Sequence, residues 1–114
     1  MALSCLVISR TPSLLNRMLA SLARARSSWQ TGDEVLCSWN GSTSDEQLIR
    51  ASHGPSPGGV PNFRIAQRQP YHFASNVNAL TRLARNQLVL LINDDVILDP
   101  LCLDRAIAVL QEHP

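Results

Sequence analysis

Leu88 to Pro100 reads LVLLINDDVILDP, and the reading of this stretch decides the fold. Residues 88–92 are an apolar run of strand type that stops at Asn93-Asp94-Asp95. Two adjacent carboxylates at the end of so hydrophobic a strand need a reason. In an open parallel sheet, ligands bind beyond the carboxyl ends of the strands. Acids placed there suit a hard divalent cation, which takes one or two carboxylates and completes its shell with substrate phosphates. The plainer alternative is a loop that caps the next helix, because acids are common at strand-to-helix junctions.

Working outward, three more strands are expected. LSCLVIS (3–9) is the first, EVLCSW (34–39) the second and NFRIAQ (62–67) the third. The runs CLVI and LVLLI lack alternation, which predicts strands covered on both faces. Helical periodicity fills the intervals. Thr11 and Pro12 read as an N-cap and first-turn proline, followed by Leu15, Met18, Leu19 and Leu22 on one face. After the Asn40-Gly41 turn, Thr43 and Glu46 have capping-box spacing before a short helix through Leu48 and Ile49. A third helix is expected over 75–85, burying Val77, Leu80 and Ala84. A fourth follows the cap-and-proline pair Asp99-Pro100 and buries Leu103, Ala106, Ile107 and Leu110. Residues 54–61, GPSPGGVP, read as a flexible connection. The alternation βαβαβαβα predicts a Rossmann-like three-layer α/β/α fold with a mainly parallel sheet of about four strands.

The 114 residues make one domain. Aromatic residues are only 4% of the chain, so the core must be aliphatic. Ten basic residues against nine acidic give a net charge of +1, which offers no polyanion-binding face. Arg17, Arg24 and Arg26 cluster, but as a solvated helix face, and no nucleic-acid partner is expected. Cys5, Cys37 and Cys102 lack ligand spacing, so structural zinc is not expected. Cys5 and Cys37 lie in strand runs as small hydrophobes, a usage that fits a reducing cytoplasm. The chain opens without a signal-peptide pattern and has no run of membrane-span length. A cytoplasmic protein, at most peripheral to a membrane, is therefore expected.

The order of motifs resembles the nucleotide-binding half of the family 2 glycosyltransferases, which have the GT-A fold. LSCLVISR with Thr11 is similar to that family's first strand and loop. EVLCSWNGSTSD is similar to its second strand and turn, and YHFASNVNALTRLARNQLVLLINDDV to its asparagine-bearing helix and metal-binding strand end. The resemblance implies a truncated GT-A domain over residues 1–114 that lacks the acceptor-binding half. It implies a nucleotide-diphosphate sugar as donor, a saccharide or other hydroxyl as acceptor, inverting transfer, and Mg²⁺ or Mn²⁺ as cofactor.

Carried over by position, Asn93-x-Asp95 stands in the DxD slot. Asp95 is the implied metal ligand, with Asn93 replacing the motif's first acid. Asp94 would contact the donor ribose or sugar, and Asn78 would line the donor pocket. Ser9, Arg10 and Thr11 would sit beside the nucleoside, while Asn40, Gly41 and Ser42 would form the loop under the base. Two departures stand out. Trp39 replaces the acid that often reads the base; an indole can stack on a base but cannot accept a hydrogen bond from it, and a packed core residue is the alternative. The family's general base, a carboxylate of the acceptor half, has no counterpart here, and His53, His72 and His113 do not substitute for it.

Two other readings stay open. A non-catalytic interaction domain would keep the fold without the chemistry and would pair as a homodimer through an uncovered sheet or helix face. A receiver-like phosphate binder would need an acid after the first strand, where Ser9-Arg10 stand. Neither GxGxxG nor GxxxxGK[ST] occurs, which argues against dinucleotide and P-loop binding.

Overall fold

In the computed structural model of the protein, the described residues are 1–52, 60 and 62–113. Four parallel strands form one sheet in the order β3-β2-β1-β4. The strands are β1 (Leu3–Ser9), β2 (Glu34–Trp39), β3 (Phe63–Ile65) and β4 (Leu88–Asn93). The helices α1 (Pro12–Ala25), α2 (Thr43–Ser52), α3 (Phe73–Leu83) and α4 (Cys102–Glu112) alternate with them. The expected α/β architecture is thus observed.

β1 and β2 are central, so both of their faces are covered. Side chains alternate across the pleat. Leu3, Cys5 and Val7 of β1 and Val35, Cys37 and Trp39 of β2 share one core with Leu15, Met18, Leu19 and Leu22 of α1, Ile49 of α2 and Leu103 of α4. Leu6 and Leu36 face the other way, against Leu80 of α3. The leucine–methionine stripe of α1 is fully buried, as its spacing predicts.

β4 departs from expectation. It is an edge strand, and Val89 and Leu91 are exposed at 40% and 47%. Its apolar run is continuous, yet α3 packs over β1 and β2 and leaves that face of β4 open. β3 is shorter than predicted at both ends; at its start Asn62 takes a left-handed φ of 52° and donates its side-chain amide to the Thr31 and Asp33 carbonyls. α3 starts two residues early: Asn76 Oδ1 accepts from His72 N–H at 2.7 Å, which closes an extra first turn. Val77 and Ala84 are only half-buried, and Asn76 and Leu80 are the residues that α3 buries. α2 is capped one residue earlier than its Thr43/Glu46 spacing suggests, by Ser42 Oγ accepting from Asp45 N–H at 3.1 Å.

α4 starts at Cys102, because Leu101 N–H donates to the Arg24 carbonyl and fixes a turn at 99–101. Only its beginning meets α1, so Ala106 and Leu110 are exposed and Leu103 carries the burial. Arg26 is no surface charge. It is buried, pairs with Asp33 at 3.3 Å and donates to the Met1 and Ser28 carbonyls. Cys5 and Cys37 pack as small hydrophobes, and burial pushes both thiols up to about 12. The predicted connection 54–61 lies outside the described residues except Val60, which joins the core; His53 lies outside them too. No helix among the described residues is long and apolar enough to cross a membrane.

Candidate functional site

The strand order defines where a ligand can bind. The chain winds from β1 to β2 to β3 in one direction, then returns to place β4 on the other side of β1. β1 and β4 are neighbours in the sheet although far apart in sequence, and a crevice opens beyond their carboxyl ends, where parallel sheets bind ligands. A cleft of about 540 Å³ lies there, within the range of small-molecule sites, roughly 300–1,000 Å³.

β1 delivers Ser9, Arg10 and Thr11 to this cleft, and β4 delivers Asn93, Asp94 and Asp95. One hydrogen bond spans the crevice: Ser9 Oγ donates to Asp94 Oδ2 at 2.7 Å. Thr11 N–H donates to the same hydroxyl at 3.4 Å, so Ser9 links the α1 entry to the acidic turn. The Thr11 hydroxyl does not cap α1. Ser9 also accepts, through its carbonyl, from Asn40 N–H at 2.7 Å, which brings the end of β2 to the cleft. Val96 N–H donates to the Asn93 carbonyl and closes the turn carrying both acids.

Of the residues singled out in the sequence, Ser9, Arg10, Thr11, Asn40, Asn93, Asp94 and Asp95 thus meet in one place. Gly41 stands behind them. A Cβ there would lie 2.5 Å from Trp39 Cζ2 and 2.7 Å from the Arg10 carbonyl oxygen, so only glycine fits. Ser42 accepts from Trp39 Nε1–H at 2.9 Å and caps α2, so its role is in the loop's frame. Trp39 is buried, at 2% exposure, and does not line the cleft. Its packing in the core under Gly41 leaves no ring face for a base, which corrects the stacking expectation. Asn78 is exposed on α3 and is not among the cleft residues; Asn76, bonded to Ser38 on β2, is the buried asparagine of α3.

Sequence reasoning missed Tyr71, Phe73 and Leu14 as cleft residues. Tyr71 and Phe73 were detectable: a pair two residues apart, in a chain with five aromatics, immediately before a helix. Asn76 was missed as well. Its Nδ2 donates to Ser38 Oγ at 2.9 Å, a contact 38 residues away in sequence that no local pattern signals.

The acids suit a hard cation only in part-open fashion. Asn93 and Asp95 offer oxygen donors at the exposed strand end. No group of three His, Cys, Asp or Glu side chains is gathered among the described residues. That donor set fits a cation of the Mg²⁺ type, which keeps water or substrate phosphate in its shell, and not an all-protein cage.

A four-stranded parallel sheet with helices between its strands defines a Rossmann-like α/β protein. The profile of glycosyl transferase family 2 matches residues 7–114, and the chain belongs to that family. Among solved structures, the crystal structure of Staphylococcus aureus TarS residues 1–349 is similar, at 20% identity and a TM-score of 0.77. That match covers 99% of this chain and 33% of the TarS chain, so this chain spans a third of its length and shares the fold. Comparison with curated proteins finds no match.

Proposed function

We propose that this chain is the donor-binding part of a glycosyltransferase, taking a nucleotide-diphosphate sugar together with Mg²⁺ or Mn²⁺ for transfer of the glycosyl group to an acceptor hydroxyl. The observation that carries the reading is the Ser9–Asp94 hydrogen bond across the β1/β4 crevice, with Asp95 and Asn93 beside it. Family membership supports the donor class.

Each residue has a role in this reading. Ser9 fixes one oxygen of Asp94 and leaves Oδ1 to accept from a ribose or sugar hydroxyl. Asp95 and Asn93 supply oxygen ligands to the cation. When bound, the cation neutralises the charge that develops on the leaving diphosphate. Thr11 and Asn40 offer hydroxyl and amide groups beside the nucleoside. Gly41 lets the second loop approach Arg10 closely enough to complete the floor. Deprotonation of the acceptor needs a base. Asp94 and Asp95 are the carboxylates that line the cleft among the described residues, and both are engaged at the donor end, so neither is assigned as that base.

The test is calorimetric titration of UDP-, GDP- and dTDP-sugars, with and without Mn²⁺, into wild type and Asp95→Ala. Metal-dependent binding by wild type that is lost in the variant is the expected result. A folded wild type that binds none of them refutes the donor-site reading.

A further inference from the structure

We propose that Tyr71 and Phe73 form an aromatic wall that receives the planar nucleobase of the donor, and that buried Asn76 is the positioning residue that holds this wall at the end of β2. The inference rests on the nucleotide-sugar reading above and adds to it the place where the base is bound. Trp39, the aromatic that the sequence offers for this task, is buried in the core. Tyr71 and Phe73 line the cleft and are 60% and 51% exposed, an unusual cost for large rings in a chain with so few of them. Exposed aromatic rings inside a polar cleft are sequence-tolerant stacking surfaces for bases.

Their position is not left to a loose loop. His72, between the two rings, donates its backbone N–H to Asn76 Oδ1 at 2.7 Å. The other end of the same amide, Nδ2, donates to Ser38 Oγ at 2.9 Å on β2. Asn76 is 0% exposed and its bond to Ser38 is buried, so that anchor is shielded from competition by water, while the bond to His72 is part-buried. The aromatic segment is thereby tied to β2, whereas the acids stand at the end of β4. In the order β2-β1-β4 these ends are two strand spacings apart, about 10 Å. That separation matches the reach from a nucleobase across its ribose to the diphosphate. With the diphosphate at Asp95, the base falls at the aromatic end and the sugar beyond the acids.

The experiment compares a ligand with a base and one without. UDP, GDP and dTDP, and inorganic pyrophosphate, are each titrated with Mn²⁺ into wild type, Tyr71→Ala/Phe73→Ala and Ser38→Ala. Both aromatic side chains are exposed, so their removal leaves the core intact. The expected result has three parts. Wild type binds at least one nucleotide tighter than pyrophosphate. The double variant loses about tenfold or more in affinity for that nucleotide, the scale of one base–aromatic stack, with pyrophosphate affinity unchanged. Ser38→Ala, which removes one arm of the Asn76 clamp, shows a smaller loss of the same selective kind. Equal losses for nucleotide and pyrophosphate, or no loss for either, overturn the proposal. Wild type that binds pyrophosphate as tightly as every nucleotide also overturns it, while leaving the metal-assisted diphosphate site standing. Wild type that binds neither overturns the donor reading and this inference with it.

Discussion

Replacing Gly41 with alanine tests whether the second loop is set by contact with the Trp39 indole. The added Cβ would stand 2.5 Å from Cζ2 and 2.8 Å from Cε2 of that ring, and 2.7 Å from the Arg10 carbonyl oxygen. Favourable carbon–carbon contacts lie at about 3.5–4.0 Å, so something must move by roughly 1 Å. The indole cannot retreat easily, because it is buried and its Nε1–H is bonded to the Ser42 carbonyl at 2.9 Å. The Arg10 oxygen belongs to the backbone of the β1 exit. Overpacking of this kind costs about 1–3 kcal/mol, and two rigid neighbours put Gly41→Ala near 3. Trp39→Phe costs about 2 kcal/mol through lost packing and an unpaired carbonyl. In the double variant a phenyl ring places no atom where Cζ2 stands, so part of the strain is relieved. Relief is partial, because the Arg10 oxygen remains. Urea unfolding of the four proteins at constant m-value gives the cycle. The expected double-variant cost is about 1–1.5 kcal/mol less than the sum of the singles. Additivity within about 0.5 kcal/mol would refute the contact as the reason glycine is required there.

Three further outcomes are expected. Ser9→Ala removes the bond that orients Asp94 and lowers affinity for a UDP-sugar with Mn²⁺ by about tenfold, read by calorimetry, and an unchanged affinity sinks the orienting role. Burial alone raises the Glu34 carboxyl, but the Arg85 N–H, the Ser4 hydroxyl and the Arg64 guanidinium outweigh it and hold the group below its ordinary 4.5. Ionised Glu34 therefore stabilises the fold above that value and the contribution fades as pH falls below it, so Glu34→Gln costs about 2 kcal/mol at pH 7 and the gap from wild type closes in acid, followed by denaturant melts across pH. A thiol reagent at pH 8 titrates Cys102 alone in the native protein and all three cysteines in denaturant, since Cys5 and Cys37 are buried thiols pushed up to about 12; prompt reaction of two or three native thiols contradicts that packing.

The strand–helix alternation was legible because each central element announces itself locally: CLVI in β1, the leucine spacing of α1, the acids closing β4. The place of the cleft, beyond the carboxyl ends of the strands, followed from the same reading, and seven of the singled-out residues meet in it. What stayed hidden is set by partners distant in sequence. The apolar run of β4 says that the strand is hydrophobic but not that α3 leaves one face of it open. Trp39 reads equally as a stacking platform or a core residue until the Ser42 carbonyl and Gly41 are seen to enclose it. Asn76 and Asn78 differ by two positions, and only the bond from Asn76 to Ser38 decides which faces inward.

The strand order carries a kinetic consequence. The Ser9–Asp94 bond joins residues 85 apart, and the β4 register pairs Leu3 with Leu88. Closing so long a loop comes late, after the nearer β1–β2 pairing has formed. The crevice therefore exists only once β4 has docked, and a partly folded chain holding β1, β2 and α1 has no cleft to offer. Ligand binding during refolding would accordingly lag the recovery of helical signal and serve as a clock for the final strand.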